Sequence, residues 1–223
     1  AGAVKFEDML DAICTQNSIF ISDGKDILIS EFGKEYGTYF SILQMIAEGR
    51  NTLREISDAI GKEAGSYLDN MEKEYRLVKK NRPMFSKGNS RDIRWKISDN
   101  YLDFYFRFIY SNFSLVETKR FDMLKEKIRS EYPQYSGPVL ENYFREKMIE
   151  EERITDIGSY WDRKGQNEID IIAINDMDMK AIVAEVKRDP KKANIGGLRK
   201  KAEAVPELKG YEIEFRILSL EDI

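Results

Sequence analysis

Two runs dense in β-branched residues, Glu168 to Asp176 and Met179 to Arg188, are joined through a polar stretch around Asn175 to Asp178 and read as adjacent strands of a hairpin. Side chains alternate along a strand, so Glu185 and Lys187 share one face while Ala184 and Val186 share the other. Asp170 precedes Glu185 by fifteen residues and Lys187 by seventeen, a spacing that can bring two carboxylates and one lysine to a single point. Two acidic oxygens can hold a hard divalent cation such as Mg²⁺ or Mn²⁺, and a neighbouring lysine can orient a water on it or help deprotonate it. The chemistry would be metal-assisted hydrolysis of a phosphodiester. The same spacing also fits a solvated strand end with a weak surface ion pair, because 34% of the chain is charged and neighbours such as Glu146-Lys147 recur.

The surrounding segments add context. From Gly137 to Ile149, apolar residues at 140, 144 and 148 repeat every four positions, as an amphipathic helix requires, with Pro138 in its first turn. Glu141 lies beside that stripe, so it can reach the sheet. Ile154 to Trp161 reads as a strand before the hairpin, Asn194 to Val205 as a basic helix after it, and Glu212 to Leu218 as a last strand. The order is helix, three strands, helix, strand.

This half of the chain resembles the PD-(D/E)xK nuclease superfamily. Its signature is an acid in the first helix, Asp in the second strand and Glu-x-Lys in the third, and Glu141, Asp170, Glu185 and Lys187 match those positions one by one. The wider sequence is similar to the C-terminal region of prokaryotic DEXX-box P-loop ATPases, through the words Tyr-Ser-Gly-Pro-Val-Leu-Glu (135 to 141), Gly158-Ser159-Tyr160-Trp161, Glu168-Ile169-Asp170 and Glu185-Val186-Lys187. Ile169 stands where the superfamily often has Pro. The resemblance implies an α/β (α+β) chain, with a winged helix followed by a restriction-endonuclease-like αβββαβ domain. It implies a deoxyribonuclease centre in which Asp170, Glu185 and Glu141 ligate Mg²⁺ or Mn²⁺ and Lys187 positions water. It also implies domains at 1–35 (the tail of a preceding ATPase lid, including Ile27 to Phe32), 36–98 (winged helix), 99–134 (aromatic linker) and 135–223 (nuclease-like).

The N-terminal half reads independently as three helices and a hairpin. Tyr39 to Gly49 is a helix closed by Gly; Asn51 to Gly61 follows, with Thr52 and Glu55 spaced as a capping box; Ala64 to Tyr75 is the third. Leu77 to Lys80 and Ile93 to Ile97 are short strands around a loop containing Pro and Gly. This is the pattern of a winged helix, whose third helix normally enters the DNA major groove, although such modules also bind proteins.

The chain is mildly acidic, with 36 basic against 40 acidic residues, which argues against coating nucleic acid along its whole surface. Two stretches differ. Residues 76–96 carry Arg76, Lys79, Lys80, Arg82, Lys87, Arg91, Arg94 and Lys96 against Asp92 alone. Residues 187–201 carry Lys187, Arg188, Lys191, Lys192, Arg199, Lys200 and Lys201 against Asp189. Both suit contacts to a DNA phosphate backbone, at the wing and beside the candidate centre.

Between the halves, seven aromatics fall within residues 101–113, and their helical spacing places them in a packed core rather than on a base-stacking surface. Phe121 to Tyr132 reads as a further helix ended by Pro133. The single Cys14 forms no internal disulfide and suits a reducing cytoplasm, with apolar neighbours that bury it. Histidine is absent, which excludes Ser-His-Asp and Cys-His catalysis and His-ligated zinc. No run of eighteen apolar residues suggests a membrane span. No Gly-x-x-x-x-Gly-Lys-[Ser/Thr] occurs, so ATP would bind only through a domain outside this chain, the expected N-terminal ATPase partner on the same polypeptide. Three readings stand: a Mg²⁺-dependent nuclease, a catalytically silent DNA-binding or regulatory part of an ATPase, and a protein-interaction scaffold.

Overall fold

The computed structural model describes residues 5–86 and 92–223, with the backbone alone for 22–27. The chain is a mixed α/β protein that divides into two units, Ala1–Asn81 with Arg94–Tyr132 and Arg82–Ile93 with Pro133–Ile223.

The first unit begins with α1 (Phe6–Ile13) and α2 (Ile19–Phe32), followed by α3 (Tyr36–Ala47), α4 (Leu53–Ile60), α5 (Gly65–Lys73) and the antiparallel strands β1 (Val78–Asn81) and β2 (Arg94–Ile97). The local chemistry matches the expectation at α4. Thr52 Oγ1 accepts the Glu55 N–H while Glu55 Oε2 accepts the Thr52 N–H at 3.0 Å, and Gly61 ends the helix at φ +68°. Trp95 N–H donates to Asn51 O at 2.7 Å, so the chain entering α4 adds a short third edge to the β1–β2 ribbon.

The aromatic segment is core, as its spacing predicts. It forms α6 (Asn100–Phe104), a π-helical turn over Tyr105–Ile109 and α7 (Phe113–Glu117), with Tyr105, Phe106, Phe108 and Ile109 fully buried. Phe40 of α3 meets Phe106 and Tyr110 edge-on, at ring separations of 5.3 and 5.2 Å.

Pro133 does not end a helix. A single helix, α8, runs from Phe121 to Glu151 through both Pro133 and Pro138. Each interior proline removes a backbone bond and costs about 3 kcal/mol. Burial offsets this on both sides, with Leu124 and Ile128 in the first unit and Leu140, Phe144 and Met148 in the second.

The second unit holds a four-stranded sheet ordered β3 (Asp156–Trp161), β4 (Glu168–Asn175), β5 (Lys180–Val186), β6 (Glu212–Leu218). The first three strands are antiparallel, and β6 runs parallel to β5 after α9 (Ile195–Glu203) crosses between them. Together with the second half of α8, the order is αβββαβ. The sheet is covered on both faces. Leu140, Phe144 and Met148 of α8 pack on Ile171, Ala184 and Val186. Leu198 and Ala202 of α9 pack on Ile169, Ile172, Ile174, Ala181 and Val183.

The loop leaving β1 belongs to this second unit. Met84 is buried in the α9-side core, its N–H donates to Ser159 O at 2.8 Å, and Trp161 Nε1–H donates to Asp92 O at 3.0 Å.

Candidate functional site

The site grows from an irregularity in β4. Gly158 pairs with Ile172 and Tyr160 with Ile169, so Ser159 alone faces Asp170 and Ile171. This bulge breaks strict alternation. Ile169 and Ile171, two residues apart, enter different cores, and Asp170 is re-aimed at the strand end. Asp170 Oδ2 then accepts the Val186 N–H at 2.8 Å, tying β4 to β5 one step beyond their last ladder pair, Ile171 with Ala184.

On β5, Ala184 and Val186 face α8, which sends Glu185 to the α9 side as alternation requires. There Glu185 Oε2 accepts the Asn194 N–H at 3.3 Å, at the cap of α9, and Glu185 Oε1 lies 4.0 Å from Lys201 Nζ. Lys187 sits just past the strand, held by its own N–H on Leu218 O at 2.9 Å. Its Nζ reaches Glu185 Oε1 at 3.2 Å and Asp170 Oδ2 at 3.5 Å. Those two oxygens are therefore at most about 7 Å apart, within reach of a shared hydrated cation. Burial works against the charge on Lys187, and Asp170 and Glu185 outweigh it, so the ammonium titrates above the ordinary lysine value.

Three of the four expected residues thus converge. Among the described residues no group of three or more acids is gathered as a metal-ion cage. Glu141 rides on α8, the helix that covers the Ala184 and Val186 face of the sheet, while Glu185 points to the α9 face. The donor set still fits Mg²⁺ or Mn²⁺, which bind through one or two carboxylates and keep several waters.

Two further residues belong here. Arg145, one turn after Glu141, donates from Nη2 to Ser159 Oγ at 2.9 Å, and burial lowers its pKa against the pull of Glu141 and Asp170. Its only sequence signal was the four-residue spacing from Glu141, which is common on helices. Lys201 was visible merely as part of a basic run.

The basic residues expected to meet DNA divide into groups. Lys191, Lys192 and Lys200 are exposed around α9, and the exposed Arg199 sets its guanidinium 4.5 Å from the centre of the Phe215 ring. Lys79 and Arg82 are also exposed. Lys80 is committed within the fold, 2.6 Å from Glu72 and 3.4 Å from Asp69 of α5 and 4.8 Å from the centre of the Trp95 ring. Arg94 is half-buried and bridges to Thr52 in the ribbon. Lys87 and Arg91 lie outside the described residues.

Fold and site define a mixed α/β protein in which an αβββαβ unit gathers two carboxylates around one lysine. Residues 105–197, which include Glu141, Asp170, Glu185 and Lys187, match the DUF234 family, described as archaea bacterial proteins of unknown function. Over 192 residues, 82% of this chain, the sequence is 36% identical to an uncharacterized protein of Methanocaldococcus jannaschii. The chain spans 43% of that protein's length. No solved structure matches the chain significantly. Among the described residues no helix is long and apolar enough to cross a membrane.

Proposed function

We propose that the second unit is a restriction-endonuclease-like, PD-(D/E)xK-type domain that hydrolyses DNA phosphodiesters with Mg²⁺ or Mn²⁺, as the C-terminal part of a cytoplasmic P-loop ATPase. The observation that carries this reading is the convergence of Asp170, Glu185 and Lys187, with the lysine within 3.5 Å of both carboxylates. Asp170 and Glu185 would hold the cation, which supplies polarisation of the phosphate and activation of water. Lys187, within 3.5 Å of both acids, would position the attacking water and stabilise charge developing on the phosphate oxygens. Lys191, Lys192 and Lys200 provide an exposed basic flank for the backbone of the substrate. The ATPase itself would lie outside this chain, which contains no P-loop.

A specific observation favours a second role for the winged-helix unit. Its third helix, α5, carries Asp69 and Glu72, and the ribbon lysine nearest to it is already paired with both. A DNA-reading helix ordinarily presents free cations to phosphates. This arrangement suits a protein-interaction module, with DNA handled by the second unit.

Cleavage of single- and double-stranded DNA in Mg²⁺ or Mn²⁺ tests the main reading, comparing the native chain with Lys187→Ala. Loss of at least a hundredfold in rate is the expected result, in line with removal of one transition-state donor. Equal cleavage by both proteins would assign the activity to a contaminant and end the reading.

A further inference from the structure

The two edges of the four-stranded sheet differ. At the β3 edge, Met84 N–H donates to Ser159 O at 2.8 Å and Trp161 Nε1–H to Asp92 O at 3.0 Å, so the loop after β1 covers that strand. β6 is the other edge. Glu212 N–H donates to Met179 O at 2.8 Å, and Leu218 O accepts the Lys187 N–H at 2.9 Å. These bonds fix the parity of the strand: Glu212, Glu214, Arg216 and Leu218 turn their backbone groups to β5, and Ile213, Phe215 and Ile217 turn theirs outward. Among the described residues nothing bonds to those outward groups. The ladder with β5 has no bulge and the strand has no proline, so two of the devices that blunt a sheet edge are missing. None of the seven residues of β6 is buried, although Ile213, Phe215, Ile217 and Leu218 are apolar.

We propose that β6 is an interface for a second copy of this chain: two β6 strands pair antiparallel about a twofold axis at Phe215, joining two four-stranded sheets into one. Residues with outward backbone groups must oppose one another, which sets Phe215 against Phe215 and Ile213 against Ile217 as hydrogen-bonded pairs. Glu214 of each copy then stands opposite Arg216 of the other, at the non-hydrogen-bonded position where side chains come closest. Charge selects this register. An axis at Glu214 or at Arg216 sets that residue against itself, an axis at Ile213 sets Glu212 against Glu214, and an axis at Ile217 leaves Glu214 without Arg216. Like charges directly opposite are destabilising and opposite charges stabilising, so only the axis at Phe215 satisfies both ends. The run Ile-Glu-Phe-Arg-Ile is complementary to its own reverse. Within one chain Arg216 lies 2.6 Å from Glu152 and 2.7 Å from Glu214, whose side chain is 60% exposed, so both charges already stand on one face of the edge. On the other face Ile213, Phe215 and Ile217 pack against the α9-side core, which the pairing would extend. The inference does not depend on the nuclease reading.

Sedimentation equilibrium of the whole chain tests it. The native chain should dimerise reversibly with concentration. Glu214→Arg and Arg216→Glu should each weaken the dimer roughly tenfold or more, because each sets like charges opposite one another twice by symmetry. An equimolar mixture of the two variants should regain the dimer, since every arginine then faces a glutamate. A native chain that stays monomeric overturns the inference. A dimer that Glu214→Arg leaves unchanged, or a mixture that associates no better than its components, overturns it by placing the contact elsewhere. If Arg216→Glu, which sets its carboxylate beside Glu152, fails to fold, hydrogen exchange on the native chain decides. Protection of the Ile213, Phe215 and Ile217 amides that falls on dilution supports the pairing. Rapid exchange of those amides at every concentration overturns it, and so does protection that dilution leaves unchanged, which would show the edge covered from within the chain.

Discussion

Asp170 accepts the backbone N–H of Val186 at 2.8 Å, and that bond aligns the end of β4 with the end of β5. The same carboxyl oxygen lies 3.5 Å from Lys187 Nζ. One side chain therefore serves both the fold and the candidate chemistry, and substitutions can separate the two duties.

Asp170→Asn retains a carbonyl oxygen for the Val186 N–H and removes the charge. It should fold with stability within about 1 kcal/mol of native, while Asp170→Ala, which leaves a part-buried N–H unpaired, should lose about 1–2 kcal/mol. Urea denaturation of both variants checks this. Equal stability in Asp170→Ala and the native chain would show that the bond is not holding the strand ends together.

Met84 ties the loop after β1 to β3. A Cβ built on Gly158 would stand 2.7 Å from Met84 Cγ, closer than carbon atoms can approach without a shift. Gly158→Ala should therefore cost about 1–3 kcal/mol by overpacking. Met84→Ala, which opens a cavity among Ile169, Ile172 and Leu198, should cost about 2–4 kcal/mol. The double variant should recover part of the Gly158→Ala loss, and strictly additive costs would contradict the contact.

Asp103, on α6, is pushed up to about 6 by burial, against the pull of Arg107 and Lys96. The folded chain holds this proton more tightly than the unfolded chain, whose carboxyl titrates near about 4, so stability falls as pH rises between about 4 and about 6. Asp103→Asn should flatten that fall and stabilise the protein by roughly 2 kcal/mol at neutral pH. Denaturation curves at pH 4, 5, 6 and 7 measure the slope, and identical slopes in the two proteins would refute the assignment.

Cys14 is 2% exposed, and burial raises its thiol to about 11. The native chain should resist alkylation by iodoacetamide at pH 8, whereas urea-unfolded chain should react at the rate of a free cysteine. Rapid labelling of the folded protein would show that α1 opens readily.

The amino-acid sequence by itself determined the parts whose signals are local. The capping box at Thr52 and Glu55, the β-branched runs around Asp170 and Glu185, and the helical spacing of the aromatics after Asp99 all appear in the fold as read. They were legible because capping, strand alternation and helical periodicity depend on residues a few positions apart. Alternation also sent Glu185 and Lys187 to the face opposite Ala184 and Val186 before any tertiary contact was known.

Tertiary structure alone decided the rest. Pro133 stops a helix on local rules, yet burial on either side carries α8 through it. The bulge opposite Ser159 sends Ile169 and Ile171 into different cores, a break in alternation that only the β3 pairing creates. The placement of α8 and α9 on opposite faces of the sheet sends Glu185 toward α9 and leaves Arg145 on α8, hydrogen-bonded to Ser159 of β3. Residue types and spacing put two carboxylates and a lysine within reach of one another. Which acids meet, and which cation stands between them, depends on packing between segments distant in the chain, and no short-range pattern encodes that.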